Sequence, residues 1–368
     1  MDFNFLIFEL FFSYPFFSVG PMAIIGGTVS IYSAALAHSS STLTPTGTIY
    51  LLLLALNYSI MPRLSKKFIH PKTNKTSLAL VEEMIKFSMG IGGFLITDSW
   101  SSIKGWKPYS TLIAAGLPSA LYALQGTLTY TSYQNLDAFT FNGLTQLKTL
   151  SAALCCYFVM GKTQSLMQIF ALAILSVIPL VLEGKFNMKS ILSFKRNTKD
   201  CGDTKSLRNR LLLGIFPCLG ATLLSGLAGS MSQKSLQFSV GSMERNAYFY
   251  SAEISICTAF FLLISMMKSK TSVHMEVKSG GSNDHKAYFN HWNWKTFIPI
   301  TVKASGGILT ALVHKHSGSV MKGFSLVLGL VFSALLQNVI DGEDLKMRQI
   351  FGTALVLLSS WLHFTSPP

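Results

Sequence analysis

The chain has 368 residues, of which 49% are hydrophobic and only 12% charged, against roughly 25% charged in a soluble globular protein. Its 30 Lys and Arg against 16 Asp and Glu give a formal net charge of +14, but most of these bases lie between apolar runs. That placement argues against a nucleic-acid partner and for solvated basic loops beside a lipid bilayer. Apolar windows of about 18 to 22 residues recur, each long enough to cross ~30 Å of hydrocarbon as a helix. The ~10-residue alternation of a membrane β-strand is absent. The fold class expected is all-α, a polytopic membrane protein.

In chain order, residues 1–46 form an apolar extension. It lacks the basic start of a secretory signal and reads equally as an extra helix, with Met22 offering a later start. A first half, 47–183, holds predicted spans at 47–62, 78–97, 109–131, 136–158 and 164–183. A basic polar loop, 184–210, follows. A second half, 211–364, holds spans at 211–232, 247–267, 296–316, 321–341 and 347–364, with a polar loop at 268–295. Near the end of each half the text is similar: FVMGKTQSLMQIFALAILS and VIDGEDLKMRQIFGTALVLLSS. One fixed offset aligns Gly161 with Gly342 and Gln168-Ile169-Phe170 with Gln349-Ile350-Phe351. A repeat with an odd number of spans is inverted in the membrane, a recurrent plan of secondary transporters. About ten transmembrane helices in two inverted five-helix repeats are therefore expected.

Enzyme signatures are missing. The eight histidines form no HExxH pattern, and there is no P-loop, GxSxG or dinucleotide GxGxxG. Five cysteines, with Cys155 and Cys156 adjacent in an apolar run, form no metal spacing. No cofactor and no metal are expected, and transport would be driven by exchange or by a gradient.

Ionisable groups inside predicted spans are Glu82, Glu83, Lys86, Lys148, Glu253 and Lys303, with His314 and Lys315 near a span end. Such groups face a bundle interior or a water-filled cavity, and they pair or bind something. Glu83 and Lys86 share a helix face and can pair, which by itself would only order the second span. A pair between Glu253 and Lys303 would join the seventh and eighth spans. Lys148 lies inside GLTQLKTLSAALCCYFVM with no acid within four residues. Thr145, Gln146, Thr149 and Ser151 make one side of its helix polar, which suits a cavity receiving an anion. A distant carboxylate would satisfy the lysine as well. In KASGGILTALVHKHSGSVMKGF, Gly306 and Gly307 permit close approach to the backbone. Lys315 and Lys322 flank a turn, either in water at the membrane edge or, with Lys148, around a phosphate.

These residues resemble the nucleotide-sugar transporters of the drug/metabolite transporter superfamily, in the branch carrying UDP-sugars and CMP-sialic acid. Pro118, Tyr122, Gln125, Asn135-Leu136-Asp137-Ala138 and Gln146-Leu147-Lys148 stand where that family's third- and fourth-helix motifs stand. Gly306-Gly307, Lys315 and Met321-Lys322-Gly323-Phe324 match its eighth and ninth helices, and Glu83-x-x-Lys86 its second. The likeness covers about 75 to 364. It implies an antiporter of the Golgi or endoplasmic reticulum membrane. Such a protein exchanges a cytosolic UDP-sugar, such as UDP-GlcNAc, UDP-GalNAc or UDP-Gal, for a luminal nucleoside monophosphate. By the same carry-over Lys148 and Lys315 contact the phosphate, and Tyr122 and Gln125 lie near base or ribose. Gln146, Gly306 and Gly307 complete the binding set, while Glu83, Lys86 and Lys322 serve structure or gating.

The chain departs from the pattern at Gly126 and Thr127, where the family has paired asparagines, and at Phe141 and Thr145, where it has tyrosines. Gly229-Ser230-Met231-Ser232-Gln233-Lys234 replaces the usual G-V-Y-F-E-K, although Arg245-Asn246 remain. The contacts to base and sugar are thus the least transferable. Cytosolic termini, as the resemblance implies, would put the basic loops in the lumen, against the positive-inside rule. We follow the resemblance. A small-metabolite exporter of the same superfamily and a non-transporting adaptor of the glycosylation machinery are the rival readings. A homodimer, or association with a glycosyltransferase, is compatible with either.

Overall fold

The computed structural model describes residues 45–70, 72–98, 108–136, 141, 144–182, 210–238, 245–276, 289, 291–341 and 347–366. The N-terminal extension up to residue 44, the loop 184–209, residues 277–288 and 290 of the second polar loop, and Asp137-Ala138 lie outside them. Among the described residues all regular structure is helical. The elements are α1 (Pro45–Phe68), α2 (Lys75–Thr97) and α3, which runs as Pro108–Thr111, a π turn Leu112–Gly116 and Leu117–Asn135. α4 is Lys148–Met160 and α5 is Leu166–Leu182. α6 joins a π turn Arg210–Ile215 to Phe216–Gln237, and α7 is Ala247–Glu276. α8 joins Trp294–Thr296 to Phe297–His316, α9 is Ser319–Asp341 and α10 is Met347–Thr365.

Among the described residues, four stretches are long and apolar enough to cross a membrane: Leu211–Gln237, Ala247–Ile264, Trp294–His316 and Ser319–Gln337. Lys148–Met160 and Leu166–Pro179 are shorter apolar helices, and α2 is interrupted by Glu82, Glu83 and Lys86. The outer surface is apolar where a soluble protein would be polar: Ile96, Phe158 and Leu166 are at least 74% exposed. Such a surface suits lipid rather than water.

The two π turns have a common cause. Pro118 and Pro217 each sit at the start of the α-helical part that follows. A proline lacks the N–H that would reach back four residues and its ring crowds that carbonyl, so the helix widens for one turn. At membrane depth the freed acceptors need donors from neighbouring helices. The Ala114 carbonyl receives the Tyr250 hydroxyl at 3.0 Å and the Ser235 hydroxyl at 3.4 Å. In the second π turn, the Gly214 carbonyl, next to the Leu213 carbonyl that Pro217 frees, receives Ser132 Oγ at 2.8 Å.

Packing is almost entirely between helices distant in sequence. α1 lies against α8 and α9, α6 against α3 and α4, α2 against α7, and α5 against α10. One apolar cluster joins α1, α5 and α9 through Leu51, Leu54, Leu172, Leu175, Phe324 and Leu328. A second joins α3, α6, α7 and α8 through Ala115, Leu236, Tyr250 and Leu312.

Two expectations change. The predicted span 136–158 does not place Lys148 mid-helix: a tight turn at Gln146-Leu147, with Leu147 N bonded to Leu144 O at 3.1 Å, precedes α4, and Lys148 is its first residue. Glu253 and Lys303 do not pair with each other. Glu253 takes a bidentate bond from Arg245, at 2.9 Å to each oxygen, and Lys303 reaches Glu82 at 2.7 Å. Arg245 lies just before α7 and pairs with Glu253 eight residues on, a spacing that conceals the pair in the sequence.

Candidate functional site

Six helices surround a cavity of about 320 Å³, within the roughly 300–1,000 Å³ of small-molecule sites. Each contributes one face. From α4 and the turn before it come Thr145, Gln146, Lys148, Thr149 and Ala152, the i, i+3, i+4 spacing of one helical side. From α9 come Ser319, Lys322, Gly323 and Leu326 at the same spacing. α3 adds Tyr122 and Gln125, α6 adds Ser225 and Gly229, α8 adds His314 and α1 adds Tyr58.

The two cations at this cavity are Lys148 and Lys322, close enough to feel each other's charge. No carboxylate stands among its described lining residues. Two ammonium groups in a partly desolvated site with no counter-ion among the described residues favour an anion, because the low local dielectric amplifies the attraction. Hydroxyl and amide groups from Tyr122, Gln125, Gln146 and Ser225 fill the remaining walls. A long polyhydroxylated anion is what such a lining can hold.

Of the residues singled out in the sequence, the cavity thus brings together Lys148, Lys322, Tyr122, Gln125 and Gln146, with Thr145 and Thr149 of the polar side around Lys148 and with His314. Lys315 is not among the lining residues; it is half-buried at the end of α8, and its carbonyl accepts a bond from Gln237 Nε2 at 3.1 Å. Gly306 and Gly307 serve helix contacts. A Cβ on Gly306 would sit 2.6 Å from Asn57 Oδ1, and Asn57 donates from α1 to the Val302 carbonyl at 2.8 Å and to Ser305 Oγ at 3.1 Å. A Cβ on Gly307 would sit 2.8 Å from Lys86 Cδ. Lys86 in turn donates to both oxygens of Glu83, at 2.7 and 2.8 Å, in a buried pair. The Glu83–Lys86 pair therefore braces α2 against α8 beside the cavity rather than inside it.

The turn between α8 and α9 is built tightly. Gly318 has φ of 96°, a conformation that a side chain disfavours, and both Ser317 N and Gly318 N reach the Val313 carbonyl at 2.8 Å. Gln233 Oε1 accepts from Ser319 N at 2.8 Å, and the Gln237 amide donates to the His314 and Lys315 carbonyls at 3.0 and 3.1 Å. This fixes the start of α9 and hence the direction of Lys322.

Sequence reasoning missed Tyr58, Ser225, Gly229, Ser319 and Gly323 as lining residues. The polar run Asn57-Tyr58-Ser59 inside an apolar span points to α1. Ser225, Gly229 and Ser319 carry no such signal, since small residues are common at any membrane helix contact.

A profile of the nucleotide-sugar transporter family matches residues 48–364. The UDP-N-acetylglucosamine transporter ROCK1 of Arabidopsis thaliana is 32% identical over 336 residues, covering 90% of this chain and 95% of that protein. The human UDP-N-acetylglucosamine transporter is 25% identical over 264 residues, 71% of this chain and 73% of its own. The UDP-galactose transporter of Schizosaccharomyces pombe is 24% identical over 317 residues, 85% and 83% of the two chains. A crystal structure superimposes with a TM-score of 0.57 at 12% identity, over 86% of this chain and 96% of the other, which speaks to the fold alone. The matched family and these relatives are transporters, not enzymes.

Proposed function

The chain belongs to the nucleotide-sugar transporter family, and on that premise we propose an antiporter that exchanges a cytosolic UDP-sugar for a luminal nucleoside monophosphate across a Golgi or endoplasmic reticulum membrane. UDP-GlcNAc is the substrate best supported, because relatives named for it include the 32%-identical plant protein; UDP-Gal follows. The observation that carries the reading is the pair Lys148 and Lys322 in one cavity with no carboxylate among its described lining residues. A diphosphate placed between them meets a cation from each half of the chain.

The packing supports two inverted repeats of five. Exchanging each helix for the one five places later turns the contact of α1 with α9 into that of α6 with α4. The same exchange turns α1 with α8 into α6 with α3, and α2 with α8 into α7 with α3. The contacts of α2 with α7 and of α5 with α10 map onto themselves. Lys148 and Lys322 stand on α4 and α9, which this exchange interconverts.

A mechanism follows from the charges. In the empty carrier two lysines repel across the cavity, and drawing the halves together around them is costly. An anion that binds both relieves the repulsion and favours the closed form, so that crossing requires a passenger in each direction. The test is counterflow into proteoliposomes: vesicles loaded with UMP should accumulate labelled UDP-GlcNAc, and empty vesicles should not. Equal uptake into both sinks the exchange mechanism; no uptake by folded protein with any UDP-sugar sinks the transport reading.

A further inference from the structure

His314 has no role in the account above, yet it is only 2% exposed and lines the cavity from the last turn of α8. Its Nε2 has no hydrogen-bond partner among the described residues. A buried polar atom left in this state costs about 1–3 kcal/mol, and such atoms in native proteins call for an explanation. Packing alone would be served better by leucine or phenylalanine.

Its surroundings show what the nitrogen faces. The point where a side chain would begin on Gly229 lies 4.0 Å from His314 Nε2, 3.9 Å from the Tyr122 hydroxyl and 3.4 Å from Ser319 Cβ. Three polar side chains from three helices thus converge on bare backbone, and any residue larger than glycine would fill the corner. The backbone that carries the ring is also held still. Gln237 donates to the His314 carbonyl, and the turn that follows is closed by paired bonds to the Val313 carbonyl. A donor or acceptor fixed in this way is organised before a ligand arrives.

The charged groups at the cavity are Lys148 and Lys322, the latter one helical turn beyond Ser319. They suffice for phosphate. An imidazole adds a single directional hydrogen bond instead, as donor or acceptor according to tautomer. We propose that His314 Nε2 hydrogen-bonds the uncharged part of the transported ligand, a hydroxyl or amide on the sugar or the nucleoside, and so sets specificity. This rests on the transport reading of the same cavity.

The experiment uses the purified full chain and two variants, His314→Phe and His314→Gln, with Lys148→Ala as control. Unliganded melting temperature is read first, then affinity for UMP and for UDP-GlcNAc by ligand-induced shift. His314→Phe should melt no lower than the wild type without ligand, since it removes an unpaired polar atom, and should bind UDP-GlcNAc about tenfold more weakly. His314→Gln, whose amide can occupy the place of Nε2, should stay within about threefold of the wild type. If UMP binding is unchanged in His314→Phe, the bond is to the sugar; if both ligands weaken equally, it is to the nucleoside. Unaltered binding of both ligands by His314→Phe, while Lys148→Ala loses them, overturns this inference and leaves the transport reading intact. A fall in the unliganded melting temperature, or failure to fold, makes His314 a packing residue and also overturns it. Folded wild-type protein that binds neither nucleotide overturns both.

Discussion

Lys148 on α4 and Lys322 on α9 line one cavity to which the described residues contribute no acid. Lys315, seven residues before Lys322 in the chain, stands outside that lining. Removing either cavity lysine should cost at least about tenfold in UDP-GlcNAc affinity, the value of one charge-assisted hydrogen bond. Lys315→Ala should change it by less than about threefold. Isothermal titration of the three alanine variants decides this, and a larger loss at Lys315 than at Lys322 would return the phosphate to the pair that family resemblance suggests.

The Glu83–Lys86 pair makes a second prediction. Glu83→Gln strands a buried ammonium, and breaking such a pair typically costs about 3–5 kcal/mol. The double variant Glu83→Gln/Lys86→Met removes both charges and should recover most of that loss. Melting curves in detergent compare the two. Equal melting temperatures for single and double variants would mean that water reaches Lys86 and that the pair braces nothing.

Gly307 tests the same brace sterically. Its Cβ would meet Lys86 Cδ and Cε at 2.8 and 2.9 Å, and Glu83 pins that stem. Gly307→Ala should destabilise by about 1–3 kcal/mol, as overpacking does. In the Glu83→Gln/Lys86→Ala background the clash is gone and the substitution should be nearly neutral. A cost that persists there would locate the strain elsewhere on α8.

Tyr250 donates to a carbonyl that Pro118 leaves without its helical partner. Tyr250→Phe should therefore cost about 0.6 to 1.7 kcal/mol, the range for hydrogen bonds between membrane helices. Pro118→Ala restores the N–H that the Ala114 carbonyl lost, and in that background the tyrosine should matter less. Purely additive melting shifts would rule out this exchange of donors.

Much of this was open to reading in one dimension. Span positions follow from hydropathy because lipid offers no partner to a peptide group, so apolar length alone dictates a helix. Lys148 announces itself for the same reason: a lysine in an apolar run is costly and must meet something. Glu83 and Lys86 lie three apart, and helical geometry pairs them whatever the rest of the chain does.

Which distant groups meet was another matter. Lys322 and Lys315 look alike in the sequence, two bases flanking one turn. Only the capping of α9 by Gln233 and the conformation of Gly318 aim Lys322 into the cavity, while the end of α8 holds Lys315 outside its lining. Glu253 found Arg245 rather than Lys303, and Gly306 found Asn57, through rotations of helices about their own axes. The sequence by itself determined which segments are apolar helices and that Lys148, inside one of the apolar runs, must meet a partner. Tertiary packing decided which side chains line the cavity. A helix carries its hydrophobicity along its length, but which of its faces turns inward depends on neighbours hundreds of residues away.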